Sequence, residues 1–237
     1  MSDAAPATTA GEPTAADRLD LADWRRRVSD LYAQVRVEAA RDPERAWDHW
    51  RETREALFRT HRQSPVPESA REAFRARHWP YDPRYRVEVA LAPDPGPGAG
   101  EPAPAQQAAT PPFGGLSLSL PISTGGEQGF ARIGWVEVPL PGGSRTLGVY
   151  WMAGYAGGLF LPFRDATNGN ETYGAGRYLL DTAKSADLGP GAAPGSLVLD
   201  FNFAFHPSCA FDPKWSCPLA PPENRLDLRI EAGERLS

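Results

Sequence analysis

The sequence predicts a mainly β protein, an antiparallel β barrel or sandwich of about 7–9 strands preceded by an αα unit. Apolar residues recur at spacings of three and four in the first third of the chain, and at a spacing of two from Tyr85 onward. The 25 prolines and 23 glycines exclude an all-helical bundle, because both are costly inside helices. Seven Trp, seven Tyr and ten Phe supply core material, within an ordinary globular balance of 41% hydrophobic and 23% charged residues.

The first element is a tail, residues 1–16, an Ala/Thr/Pro segment without core-forming residues that is expected to be disordered. Residues 17–78 form the helical segment, expected to pack on the β domain. Leu21, Trp24, Val28, Leu31 and Val35 mark one face of the first helix. Asp42-Pro43-Glu44 starts a second, with Asp42 as N-cap, Pro43 at the first helical position and Glu44 at the positive end of the dipole. Trp47, Trp50, Leu57 and His61 continue its apolar stripe, and a short third helix is expected over Glu68–Arg77. These Trp-rich faces need a surface to bury against.

Residues 79–237 form the β domain. Tyr85, Val87, Val89 and Leu91 alternate with Arg86, Glu88 and Ala90 as in a half-buried strand. Residues 92–112 are a Pro/Ala-rich insert without apolar periodicity, expected to be a disordered loop. Further strands are expected at Leu116–Ile122, Phe130–Val138, Thr146–Met152, Leu159–Phe163, Tyr173–Leu180, Leu197–Phe205 and Leu226–Glu231. The uncharged run Thr146–Phe163 reads as two strands around a glycine-rich turn, since its glycines and proline do not suit a membrane helix.

The charge pattern excludes some classes. Between Asp17 and Glu88 sixteen arginines face fourteen acids, so this segment reads as solvated helix faces, and no stretch is basic enough to track nucleic acid. With two cysteines and no charged-then-apolar leader, the cytoplasm is the expected compartment, with no membrane partner. Phosphate-loop, G-x-S-x-G and H-E-x-x-H motifs are absent, and no cofactor is implied.

Two segments are dense in polar residues, 163–178 and 200–224. In the first, Asn168-Gly169 predicts a two-residue type I′ hairpin with Asp165 opposite Thr172 and Arg164 opposite Tyr173. Arg177 lies beyond that turn and offers a planar fork to a carboxylate or phosphate, unless Asp165 or Asp200 takes it as an ion pair. In the second, Leu197, Leu199, Phe201, Phe203 and Phe205 share a core face, while Asp200, Asn202 and His206 stand on the other, which is wet or lines a pocket. His206, Cys209 and Cys217 are possible metal ligands at H-x2-C-x7-C. The spacing lacks a fourth ligand and the paired C-x2-C of structural zinc, so no metal is assigned. Two structural thiols, a disulfide or a Cys–His nucleophile pair remain alternatives.

The best reading is a small-molecule-binding protein or enzyme whose polar pocket is built from these two segments. Its catalytic candidates are Asp200, Cys209 and Tyr173, and its ligand-binding candidates are Asp165, Thr172, Arg177, Asn202 and Asn224. It requires Arg177 and Asp200 to share one concavity. The alternative is a non-catalytic structural or interaction β module, in which the same residues anchor the C-terminal loop through buried hydrogen bonds.

Phe163-Arg164-Asp165-Ala166-Thr167, Thr172-Tyr173-Gly174-Ala175-Gly176-Arg177-Tyr178, Asp200-Phe201-Asn202, Pro207-Ser208-Cys209-Ala210, Cys217-Pro218, Glu223-Asn224 and Ala232-Gly233-Glu234 together resemble a prokaryotic family known only as domain of unknown function 1684. The resemblance also takes in the Trp24 region and Ser64-Pro65. It departs at the 92–112 insert and at His206, where the family pattern implies Asn. It implies no activity, cofactor or catalytic residue.

Overall fold

The computed structural model describes residues 12–94, 116–154 and 157–236. Most of the expected 1–16 tail and of the 92–112 insert therefore lies outside the described residues. Helix α1 spans Ala15–Ala39 and begins with a reciprocal cap, Thr14 accepting from the Asp17 N–H while the Asp17 carboxylate accepts from the Thr14 N–H. Helix α2 spans Pro43–Thr60, with the Asp42 carboxylate accepting from the Arg45 N–H. Asp42→Ala is expected to cost about 1 kcal/mol, read as a lowered urea midpoint at unchanged slope. Helix α3 is shorter than its sequence suggests, Glu68–Arg71. The chain leaves it to place Ala76 against α2, where the Glu55 carboxylate accepts from the Ala76 N–H.

Ten strands follow: β1 Arg77–His78, β2 Arg86–Ala90, β3 Ala92–Pro93, β4 Leu116–Pro121, β5 Glu127–Leu140, β6 Gly143–Met152, β7 Leu159–Phe163, β8 Arg177–Asp181, β9 Ser196–Asp200 and β10 Glu234–Arg235. Every pairing between them is antiparallel. The main sheet runs β3-β5-β6-β7-β8, with β4 beside the first half of β5, while β2-β9 and β1-β10 are separate pairs. Among the described residues the main sheet does not close into a barrel; the arrangement is sandwich-like.

Alternation puts neighbouring residues of β6, β7 and β8 on opposite faces. Val149, Leu161 and Leu179 join the largest core with Tyr85, Val89, Leu199 and Phe201. Tyr150, Phe160 and Tyr178 point the other way, into a cluster with Leu120, Phe130, Cys209 and Cys217. Both faces of the sheet are thus covered, one by β2-β9 and one by the 205–218 segment. The helices bury their Trp-rich faces on the turn after β9. Trp50 lies 5.2 Å from the Phe203 ring and donates to the Tyr32 hydroxyl, and the Trp47 indole N–H donates to Asn202 O at 2.9 Å.

Two strands end early or are missing. The strand read over Leu197–Phe205 stops at Asp200, whose carboxylate caps a single 3-10 turn, Phe201–Phe203. Asn202, Ala204 and His206 are consequently buried rather than wet. Leu226–Glu231 forms no strand. Its backbone is satisfied elsewhere: Ile230 N–H donates to Asp165, Leu226 N–H to Arg164 O, and Leu228 O accepts from Ala166 N–H. Alternating apolar residues fit an extended segment of either kind, so the sequence pattern does not separate them.

Candidate functional site

The hairpin arms β7 and β8 meet at Phe163 and Arg177, and 164–176 is the loop between them. The expected Asn168-Gly169 turn does not form. A type I′ turn needs positive φ at both positions, and only Gly169 has it. The Asn168 side chain instead organises the loop, accepting from Asp165 N–H and donating to Thr172 Oγ1 and Tyr173 O. Thr167 O collects the N–H groups of Glu171 and Thr172. Gly176 is required at the start of β8, because its φ is +106° and a Cβ would collide with Phe163 O.

Within this loop Asp165, Thr172 and Arg177 converge. Thr167 Oγ1 lies 2.8 Å from both Asp165 Oδ1 and Thr172 Oγ1. Arg177 is wholly buried, and its guanidinium sits between the Trp79 and Phe163 rings. It donates to the carbonyls of Ile230 (2.9 Å), Ala232 and Glu234 (3.2 Å), and lies 3.4 Å from Asp165 Oδ2. Burial lowers its pKa to about 10, against the pull of Asp165. The fork expected to take a ligand carboxylate or phosphate is thus occupied by the C-terminal segment.

Asp200 and Asn202 form a second cluster. Asp200 Oδ1 accepts from the backbone and side-chain N–H of Asn202 at 3.0 and 2.8 Å, and Oδ2 lies 3.3 Å from Arg86. Burial raises its pKa. Asn202 in turn ties both backbone groups of Asp82. Arg177 and Asp200 are 0% and 1% exposed, so they share no open concavity, contrary to the sequence expectation. Asn224 stands apart again, accepting from Gly148 N–H and donating to Gly148 O and Pro162 O, which fixes its turn across β6 and β7.

Tyr173, His206, Cys209 and Cys217 make the third cluster. His206 Nε2 accepts from Tyr173 N–H at 3.2 Å, and Nδ1 faces Glu234 at 3.8 Å. Burial lowers the His206 pKa to about 4, so the ring is neutral. Cys209 N–H donates to Cys217 Sγ at 3.3 Å. The Cys217 thiol and the Tyr173 hydroxyl are neighbours that favour the charged form of Cys209. The Cys217 contact lowers the Cys209 thiol to about 6 and raises that of Cys217. Both ring nitrogens of His206 are turned to protein groups, and among the described residues no three His, Cys, Asp or Glu side chains converge as metal ligands.

Sequence reasoning missed Arg54 and Glu234. Glu234 is buried, and although burial alone would raise its pKa, Arg54 at 2.6 Å holds it at about 2. Glu234 also accepts from His206 N–H at 2.6 Å. Beside this pair opens a cavity of about 310 Å³ between the α3 region and β10. Val66, Phe74, Phe211 and Leu236 supply its apolar wall, and Arg75, Arg77 and Arg235 its polar one. Arg77 and Arg235 are direct cross-strand partners in β1-β10, so their side chains leave the same face. Neither makes an ion pair among the described residues. Only a pattern linking residues 158 positions apart in sequence could have flagged this pair.

A family model described as a protein of unknown function, DUF1684, matches residues 73–235. The chain is also similar to the solution NMR structure of an uncharacterised protein from gene locus rrnAC0354 of Haloarcula marismortui. The two are 31% identical with a TM-score of 0.55, over 84% of this chain and 97% of that one. No curated protein matches the chain. No helix among the described residues is long and apolar enough to cross a membrane.

Proposed function

The chain belongs to the DUF1684 family, and from that premise we propose that it is a small-molecule-binding protein whose ligand is a small organic anion, a carboxylate on a short apolar body. The ligand's place is the 310 Å³ cavity, at the small end of the range of about 300–1,000 Å³ usual for such sites. The observation that carries the reading is the pairing of Arg77 with Arg235 on its wall. Like charges directly opposite across a strand pair repel, and a bound carboxylate removes that repulsion while accepting from a planar fork. Glu234 does not fill this role, because Arg54 and His206 N–H already hold it. The buried polar residues support the reading as a frame: Arg177 and Asp165 fix the Ile230–Glu234 backbone, and with it the cavity wall. The cytoplasm, where Cys209 and Cys217 stay reduced, is the compartment this reading assigns.

Thermal unfolding at fixed ionic strength tests it, with hexanoate and benzoate compared against chloride and hexanol. A carboxylate at ten times its Kd is expected to stabilise the protein by about 1.4 kcal/mol, roughly 3–5 °C in Tm. Arg235→Gln is expected to remove that increment. If carboxylates shift Tm no more than chloride, or shift Arg235→Gln equally, the reading fails.

A further inference from the structure

One carboxylate at the Arg77–Arg235 pair leaves another cation of the cavity without an anion. Arg75 lines the same wall, and among the described residues it makes no ion pair. The wall's own carboxylate is Glu234, which Arg54 holds at 2.6 Å. His206, also on the wall, is neutral and brings no charge. A cleft lined by one unpaired sign of charge concentrates ligands of the other sign, more strongly the more charges they carry.

The three guanidiniums are anchored on different parts of the wall. Arg235 lies over the Trp79 ring, 5.3 Å from its centroid, and its buried Nε has no hydrogen-bond partner among the described residues. Arg77 is its direct cross-strand partner. Arg75 is held otherwise. Its Nη1 donates to Phe74 O at 2.7 Å and to Glu72 O at 3.0 Å, which draws the guanidinium back to the turn that follows α3. Its Nε and Nη2 make no hydrogen bond among the described residues, so one edge of the fork stays open.

We infer, on the reading of this cavity as a carboxylate site, that its ligand is a short aliphatic dicarboxylate and that Arg75 is the residue that selects it. One carboxylate takes the Arg77–Arg235 pair and the other takes the open edge of Arg75. The methylenes between them lie on Phe74 and Phe211. A phosphate monoester is a compact dianion, so both its charges would sit at the Arg77–Arg235 end and leave Arg75 unused. Anchors on separate parts of the wall favour charge at both ends of the ligand.

Calorimetric titration at pH 7 and fixed ionic strength tests this with adipate, hexanoate and hexyl phosphate. Two equivalent ends alone give adipate an advantage of about twofold over hexanoate. The expected advantage is at least about fivefold, the worth of one well-placed exposed ion pair. Arg75 is exposed, so Arg75→Gln spares the core. That substitution is expected to bring the ratio down to about two, and to weaken hexyl phosphate less than adipate. If hexanoate binds but adipate gains no more than about twofold, or the gain survives Arg75→Gln, the second anchor is wrong and the carboxylate reading stands. Equal weakening of adipate and hexyl phosphate by Arg75→Gln also overturns it, since the three arginines then serve one compact dianion. If none of the three compounds binds, the carboxylate reading itself fails.

Discussion

Arg177→Ala is expected to destabilise the protein by about 3–5 kcal/mol, measured as a lowered denaturant midpoint at unchanged slope. The arginine is wholly enclosed, and its donors serve the carbonyls of Ile230, Ala232 and Glu234. Truncation leaves those carbonyls without their donors in a dry interior and strips Asp165 of its cation. Asp165 keeps the Ile230 N–H and the Thr167 hydroxyl, so the loss is a large part of the native margin and not all of it. Coupling follows from the shared geometry. Asp165→Asn and Arg177→Ala together should cost clearly less than the sum of the two alone, because each removes part of what the other loses. A loss under about 1 kcal/mol for Arg177→Ala, of the size seen at ordinary surface positions, would mean that the C-terminal segment docks without it.

Acidification is expected to produce the second large effect. Burial lowers the pKa of His206 and of His78 to about 4, below the value near 6.5 of an exposed histidine. Between those values the unfolded chain binds protons that the folded chain refuses, so stability falls as pH falls across that window. The full loss is about 3 kcal/mol for His206 and less for the more accessible His78. The groups facing them do not cancel it. Arg54 opposes protonation of both rings and Glu234 favours it, yet burial dominates. Glu234 acts in a separate window: its folded pKa of about 2 lies below the unfolded carboxylate value, so its stabilisation is complete above that value and is lost as pH drops through about 2. Asp200, raised by burial, works in the opposite sense, because its protonation in acid relieves a cost present at neutral pH. Urea midpoints at several pH values check the balance. His206→Asn, which places there the residue the family resemblance implies, should flatten the slope. A midpoint constant from pH 6.5 to 4.5 in the wild type would contradict the burial of both rings as neutral groups.

Local chemistry made much of this fold legible. Asp42-Pro43 marks the start of α2 because a cap and a donorless residue satisfy the orphan groups of a helix end wherever the helix lies. Alternation found β2, and the glycine-rich break in an uncharged run separated β6 from β7, which are buried on both faces. The failures share a cause. The segments 201–205 and 226–231 alternate like strands, but side chains from elsewhere take their backbone groups: the carboxylate of Asp200 in one case, Asp165 and Arg177 in the other. At Asn168 the side chain outcompeted the turn for the backbone around it. The polar residues singled out in 163–178 and 200–224 bond to protein groups in separate clusters, buried except for the half-buried Tyr173. Arg54 looked like one more solvated helix charge. Its partner Glu234 lies 180 residues away, a pairing that a single sequence does not display.

The docking of residues 230–235 onto Arg177 also bears on how the protein is made. During synthesis Arg177 leaves the ribosome more than fifty residues ahead of Ala232 and Glu234, the groups that will neutralise its isolation. At about 5–20 residues per second the nascent chain carries β7 and β8 for seconds with a cation that has no interior place to go. The Gly233 turn, at φ +79° with no room for a Cβ beside Phe201 O and Ala204 O, seats the late segment on the turn after β9. A chain that ends before residue 230 lacks the three carbonyls that Arg177 donates to and the Ile230 N–H that Asp165 accepts.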